Sequence, residues 1–190
     1  MPPARDRILK AASRLHRKHG FEALSLRAVA AEVGVTPMAI YRHFRDKDAL
    51  VAAVVEAGFA RWEEYLAKAV TASTPLEIIE RALFAYADFA LDEPNAFRLM
   101  FLTARPSIPA APASLASSPS PSAQALIDAT HRAMESGDLA RDDPAELILL
   151  CWAAMHGLIA LHFSGRFGHD DGVFRSIYAK EVRRLLRLIG

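Results

Sequence analysis

The sequence predicts an all-α fold of about nine helices, a small N-terminal head on a larger helical body. Three observations carry this. Apolar residues make up 52% of the 190 residues, enough for a sizeable core. Ala, Leu, Arg and Glu are abundant and β-branched residues modest in number, which favours helix over sheet. Apolar positions recur at helical spacing between capping residues, with no internal repeat and no convincing strand.

Residues 4–19 set Ile8, Ala12 and Leu15 among Arg5, Arg7, Lys10, Arg14, Arg17 and Lys18, an amphipathic helix that Gly20 closes. Ser25 caps a short helix over Leu26–Val33, which Gly34 ends. Thr36 followed by Pro37, a capping hydroxyl and then a proline at the first helical position, starts a third helix that runs to His43–Phe44. Asp46 caps a long fourth helix from Lys47 to Val70. Thr74-Pro75-Leu76-Glu77 is a capping box and opens a fifth helix that reaches Leu91. Pro94 opens a sixth, ending near Thr103. Residues 104–122 are rich in Pro, Ser and Ala and read as a mobile loop. A seventh helix over Ala123–Ser136 ends at Gly137. A second capping box, Asp143-Pro144-Ala145-Glu146, opens an eighth that runs to Ser164 and is apolar on nearly every face. The turn Gly165–Asp170 leads to a ninth over Asp171–Leu188, with Val173, Ile177, Val182, Leu185 and Leu186 on one side.

The net charge of +1 hides a division. Residues 1–50 hold ten Lys and Arg against five Asp and Glu, and the remainder is mildly acidic, so one end is suited to a polyanion. The lone Cys151 excludes a disulfide within the chain and fits a reducing cytoplasm. The charged, amphipathic N-terminus does not read as a signal peptide. Leu147–Phe163 is the one apolar run to weigh as a membrane span. It is short for a bilayer and contains His156 and Gly157, so a buried helix is the better reading.

The segment Leu26–Phe44 carries the functional signal. Ala30 is small where two short helices must cross, and Gly34 supplies the turn. Val29, Val35 and Ile40 are apolar where the pair packs on the first helix. These are the requirements of a helix-turn-helix, whose second helix enters the DNA major groove.

The whole of residues 5–50 resembles the DNA-binding domain of the TetR family of transcriptional regulators. The resemblance rests on Gly20-Phe21-Glu22-Ala23-Leu24-Ser25-Leu26-Arg27, then Val29-Ala30, then Gly34-Val35-Thr36. It continues through Ile40-Tyr41-Arg42-His43-Phe44 and Lys47-Asp48-Ala49-Leu50, and covers about a quarter of the chain. It implies a DNA-binding domain over residues 1–50 and a ligand-binding and dimerisation domain over 51–190, in a homodimer that binds a palindromic double-stranded operator. At the matching positions, Tyr41, His43 and Lys47 are phosphate contacts. Tyr41 offers a hydroxyl, and Lys47 sits at the positive dipole end of the fourth helix. Ser25 and Thr36 are caps that also fall where phosphate lies. Arg27, Pro37, Met38, Ala39 and Arg42 face the groove. Arg27 suits a bidentate bond to guanine, whereas Met38 and Ala39 offer only apolar contact, as with a thymine methyl. The plainer readings are a half-buried aromatic at Tyr41, a solvated Lys47, a packed His43, and Arg27 paired with Glu22 or Glu32.

In the body, Trp152-Ala153-Ala154-Met155-His156-Gly157 resembles one C-terminal domain type of the same family through its Trp-x-x-x-His-Gly pattern. Gly157 and the alanines permit close approach, so the eighth and ninth helices of two subunits can build a four-helix interface. A pocket for a small apolar or aromatic effector is expected among Phe59, Trp62, Phe84, Phe97, Phe101, Met134, Trp152, Met155 and His156, each of which also reads as plain core. His156 is the polar handle of that set. His156 and His162 are too far apart in register to share a metal, and a gathering of His162, His169, Asp170 and Asp171 at the turn is a weak alternative.

No nucleophile–base pair, metal cluster or phosphate-cradling glycine loop is present in the sequence, so neither catalysis nor a cofactor is expected. The leading expectation is a cytoplasmic repressor released from its operator by ligand, with activation left open. Control by a protein partner, or a small-molecule-binding enzyme with a vestigial head, are the alternatives.

Overall fold

The computed structural model describes residues 3–103 and 120–190, and the described residues form helices joined by turns and bends, with no strand and a single isolated bridge between Arg166 and Gly168. Nine helices occur among them. They are α1 (Ala4–His19), α2 (Leu26–Val33), α3 (Pro37–Tyr41), α4 (Lys47–Ala69), α5 (Pro75–Asp92), α6 (Pro94–Phe97), α7 (Pro121–Ser136), α8 (Pro144–Phe163) and α9 (Asp171–Ile189). Residues 104–119 of the expected loop lie outside the described residues.

The helix starts follow from local chemistry. Ser25 accepts the Ala28 N–H at 3.1 Å and Asp46 the Ala49 N–H at 2.7 Å. The Thr74 box is reciprocal, with Glu77 N–H on the Thr74 hydroxyl at 3.2 Å and the Glu77 carboxylate accepting from Ser73 and Thr74. At Asp143 only half of a box forms. The side chain accepts from Ala145 and Glu146, while the Asp143 N–H goes to Asp142. α7 begins two residues before the expected Ala123, because Ser120 caps the Ala123 N–H and Pro121 fills the first turn. Glu63 seals that end, accepting from the Ser120 hydroxyl and from the Ser122 N–H at 3.1 Å. Burial works to raise the Glu63 carboxyl, and these hydrogen bonds outweigh it and leave its pKa lowered.

Two ends differ from expectation. α3 stops at Tyr41, short of His43–Phe44, where the chain turns through a bend to reach the Asp46 cap of α4. The expected sixth helix is α for one turn and then a π turn over Arg98–Leu102.

The chain divides into two compact units. The first takes the chain through Arg61 and a second stretch from Glu93. Its core is Ile8, Ala11, Ala12, Leu24, Val29, Ala30, Ile40, Phe44 and Leu50, with α1 packed on α2 and on α6. Gly58 lets α4 meet the π turn. A Cβ there would sit 2.5 Å from Met100 Sδ, so a larger residue would have to displace that side chain. His16 is buried and donates from Nε2 to the Asn95 carbonyl at 3.0 Å, and the Asn95 amide donates back to the Arg17 carbonyl at 2.9 Å. Glu93, also buried, lies 3.9 Å from Arg17 and 3.5 Å from Arg61.

The second unit holds Trp62–Asp92 and the C-terminal helices. α5 is its axis, in contact with α7, α8 and α9. Ile79, Ala133, Met134, Leu139 and Leu147 form one cluster, and Leu66, Ala69 and Ala82 another. The buried Tyr178 hydroxyl donates to the Leu83 carbonyl at 2.8 Å, which ties α9 to α5.

Burial lowers the pKa of His16, against the opposing pull of the Asn95 carbonyl, and burial also lowers that of His156. Both therefore charge more readily in the unfolded chain. Their contribution to stability is full above the ordinary value of 6.5 and is lost as pH falls below it. Urea midpoints should decline with acidification in that window, and the decline should be shallower in His16→Gln. An unchanged slope in that variant would remove His16 as a source of the pH dependence.

Candidate nucleic-acid interface

α2, a tight turn and α3 build the interface. Gly34 has φ of +75°, the left-handed conformation that glycine adopts without strain. Its N–H reaches back to Ala31 at 3.2 Å and the Val35 N–H to Ala30 at 3.0 Å, a paired cap that ends α2 and aims the chain into α3. Thr36 then caps α3 by accepting from Ala39 N–H at 3.3 Å. Buried Ala30 lets the helices close on each other, and Ile40, fully buried, anchors α3 from beneath.

That anchoring turns the other residues of α3 outward. Thr36, Pro37, Met38, Tyr41, Arg42 and His43 are exposed, and so is Arg27 on α2. Ala39 and Ser25 are half-buried. Glu32 does not take Arg27, because Arg14 holds it at 3.0 Å. Lys47 is half-buried with its ammonium 4.4 Å from the Phe21 ring centroid, a cation–π contact that fixes the side chain at the start of α4. Val35 is the exception to the expected packing. It follows Gly34 at the turn and is 36% exposed, so it is not part of the core on α1.

Two further cationic residues make contacts that the sequence did not indicate. Arg5 lies over the Phe44 ring at 5.2 Å, and exposed Arg45 pairs with Asp46 at 3.0 Å. Arg45 falls between the matched runs that end at Phe44 and resume at Lys47, next to its partner. The Arg5 contact has no local signal, because its partner is thirty-nine positions away.

The expected pocket residues fall in both units. In the first, Phe101 meets Phe59 edge-on at 5.8 Å and Phe97 at 5.0 Å. In the second, Trp62, Trp152 and His156 gather around a residue the sequence did not point to, Tyr86. Its hydroxyl lies 2.9 Å from His156 Nδ1, with Trp62 edge-on at 5.5 Å. Trp152 is 6.0 Å from the His156 ring. Burial raises the Tyr86 pKa, so its hydroxyl stays protonated. Phe84 sits by Tyr178, while Met134 and Met155 are buried. Among the described residues no three His, Cys, Asp or Glu side chains gather as a metal site. At the turn after α8, His162 pairs with Asp171 alone, at 2.9 Å.

A capped helix, a glycine turn and a short helix with a buried apolar underside and exposed Met38 and Tyr41, followed at its end by exposed Arg42, make this a helix-turn-helix DNA-binding protein. The comparisons agree. Residues 8–54 match the bacterial regulatory proteins of the tetR family, and residues 79–185 match the tetracyclin repressor-like C-terminal domain. The chain belongs to the TetR family of transcriptional regulators. Among solved structures, a protein of unknown function from Rhodococcus sp. RHA1 is 25% identical with a TM-score of 0.75, covering 100% of this chain and 96% of that one. Another, solved as the molecular basis for control of antibiotic production by bacterial hormones, is 28% identical with a TM-score of 0.69, covering 97% and 95%. A TetR variant from Acinetobacter baumannii AYE in complex with minocycline shares the fold at 14% identity and a TM-score of 0.67, covering 100% and 99%.

Proposed function

We propose that the chain is a cytoplasmic, non-catalytic repressor that binds a palindromic operator as a homodimer and leaves it when a small apolar or aromatic ligand binds. The observation that carries the DNA reading is that Met38 and Tyr41 on α3, and Arg42 and His43 just past its end, are exposed while Ile40 is buried. Tyr41, His43 and Lys47 hold phosphate, with Ser25 and Thr36 at the edges. Arg27 and Arg42 reach base edges, and Pro37, Met38 and Ala39 fill the groove.

The homodimer is supported by α8. The helix is long and apolar enough to cross a membrane, yet only 22% of its most apolar stretch is buried. A second copy, packing α8 and α9 against their counterparts, would cover the rest. The ligand reading is supported by the half-open aromatic group of Trp62, Trp152 and His156 in the second unit, and by the minocycline complex of a protein with this fold. α4 contributes residues to both units as one helix, so a ligand that prefers one position of α4 changes operator affinity, by a coupling of about 1–3 kcal/mol. Catalysis through the one thiol is disfavoured, since burial pushes Cys151 up to about 11.

Selection from a random duplex pool tests the reading. The full chain should enrich an inverted repeat. Lys47→Ala should weaken binding to all sequences alike and lower the salt slope by about one. A pool that shows no enrichment would contradict it.

A further inference from the structure

We propose that α3 reads pyrimidine methyl groups, with Met38 as the reader. The inference rests on α3 entering the major groove, as proposed above, and names what it recognises there.

Met38 is 69% exposed, and exposed Tyr41 and Arg42 follow it by three and four residues, on the same face of the helix. Val35, out of the core at 36% exposure, precedes it by three. The hydroxyl of Thr36 accepts the Ala39 N–H and lies at the cap, ahead of the first turn. The first turn of α3 therefore offers Pro37, Met38 and Ala39, and no side-chain group that hydrogen-bonds a base edge. The apolar tip is flanked in the chain by exposed Arg27 and Arg42, and by Arg45, which pairs with Asp46. Its partner must be a polyanion that also presents an apolar group. In the major groove that group is the C5-methyl of thymine. The thioether of methionine is flexible and polarisable, and adapts its contact to a small protruding methyl.

A contact of this kind senses the methyl and not the donor–acceptor pattern beside it. At the position under Met38, 5-methylcytosine should pass for thymine, and uracil should not. Operator binding would then respond to cytosine C5 methylation at that step.

The test uses the full chain and a duplex enriched from a random pool, with each thymine replaced in turn by uracil, cytosine or 5-methylcytosine. At one position per half-site, uracil and cytosine should weaken binding about fourfold for each methyl lost. 5-Methylcytosine should restore it. In Met38→Ala, the uracil penalty at that position should vanish while the thermal midpoint is kept, since the side chain lies on the surface. An enriched duplex indifferent to uracil at every thymine would overturn this proposal alone. So would a penalty that persists unchanged in Met38→Ala. A pool that yields no enriched sequence would remove the parent reading and this proposal with it.

Discussion

Ala154→Glu is expected to give a folded monomer that no longer holds an operator. Ala154 sits at the centre of a stripe on α8. Leu150, Ala153, Ala154 and Leu161 are exposed along it, and Gly157 and Leu158 are half-buried between them. The spacing is that of one helix face. Nothing lies within 4 Å of where a Cβ on Gly157 would be, so the face is open to a close neighbour. Val173 on α9 adds an apolar side chain at 49% exposure. Such a surface is costly in water and cheap against its own copy. A carboxylate at its centre would be buried without a partner, a penalty of several kcal/mol that association must meet twice in a twofold interface. With one head instead of two, affinity should fall toward the non-specific range, by about a thousandfold or more. Sedimentation velocity reads the mass and a gel shift the affinity. A variant that remains dimeric and bound would place the interface elsewhere.

Ile40→Ala should be the most damaging single change in the head. Ile40 is fully buried, and so are Val29, Leu50 and Leu24 in the same unit. Truncation there leaves a cavity and should cost about 2–5 kcal/mol, against a total stability of about 5–15 kcal/mol. α3 has only five residues and cannot persist without tertiary support. Its loss should therefore appear in DNA affinity even where the fold survives. Ile40→Val, which removes one methylene, should cost about 0.5–1.5 kcal/mol and keep binding. Urea unfolding followed by circular dichroism checks both. A loss under about 0.5 kcal/mol for Ile40→Ala would mean that α3 is not anchored by this side chain.

The helix starts were legible because a cap is a contact over three residues. Ser25, Thr36, Asp46 and Thr74 each bond the backbone N–H three positions on, so sequence spacing and spatial distance coincide. The helix-turn-helix was legible for the same reason, since Gly34, Ala30 and Ile40 act within one short segment. What escaped lies between distant residues. His16 meets Asn95 across 79 positions, and Tyr86 meets His156 across 70. No local pattern marks either pair. Within the π turn after Phe97, Met100 lies against Gly58, again remote in the chain. Val35 misled because its hydrophobicity suggested core. The paired cap at Gly34 instead leaves it at the turn, where burial is incomplete. The caps, the turn and the buried anchor of the helix-turn-helix thus follow from local chemistry, whereas the DNA contacts assigned to its exposed residues rest on the resemblance. The aromatic group of the second unit was read only in part, because its central hydroxyl comes from α5 while its other members come from α4 and α8.

The central claim is that two copies of this head read one inverted repeat. Sedimentation of the complex with the enriched duplex, at rising protein concentration, tests it directly. Two chains per duplex are expected, with half-sites spaced about 34–36 Å apart and weak binding to a duplex cut to one half-site. A complex of one chain per duplex, bound as tightly to the half-site as to the whole, would contradict it.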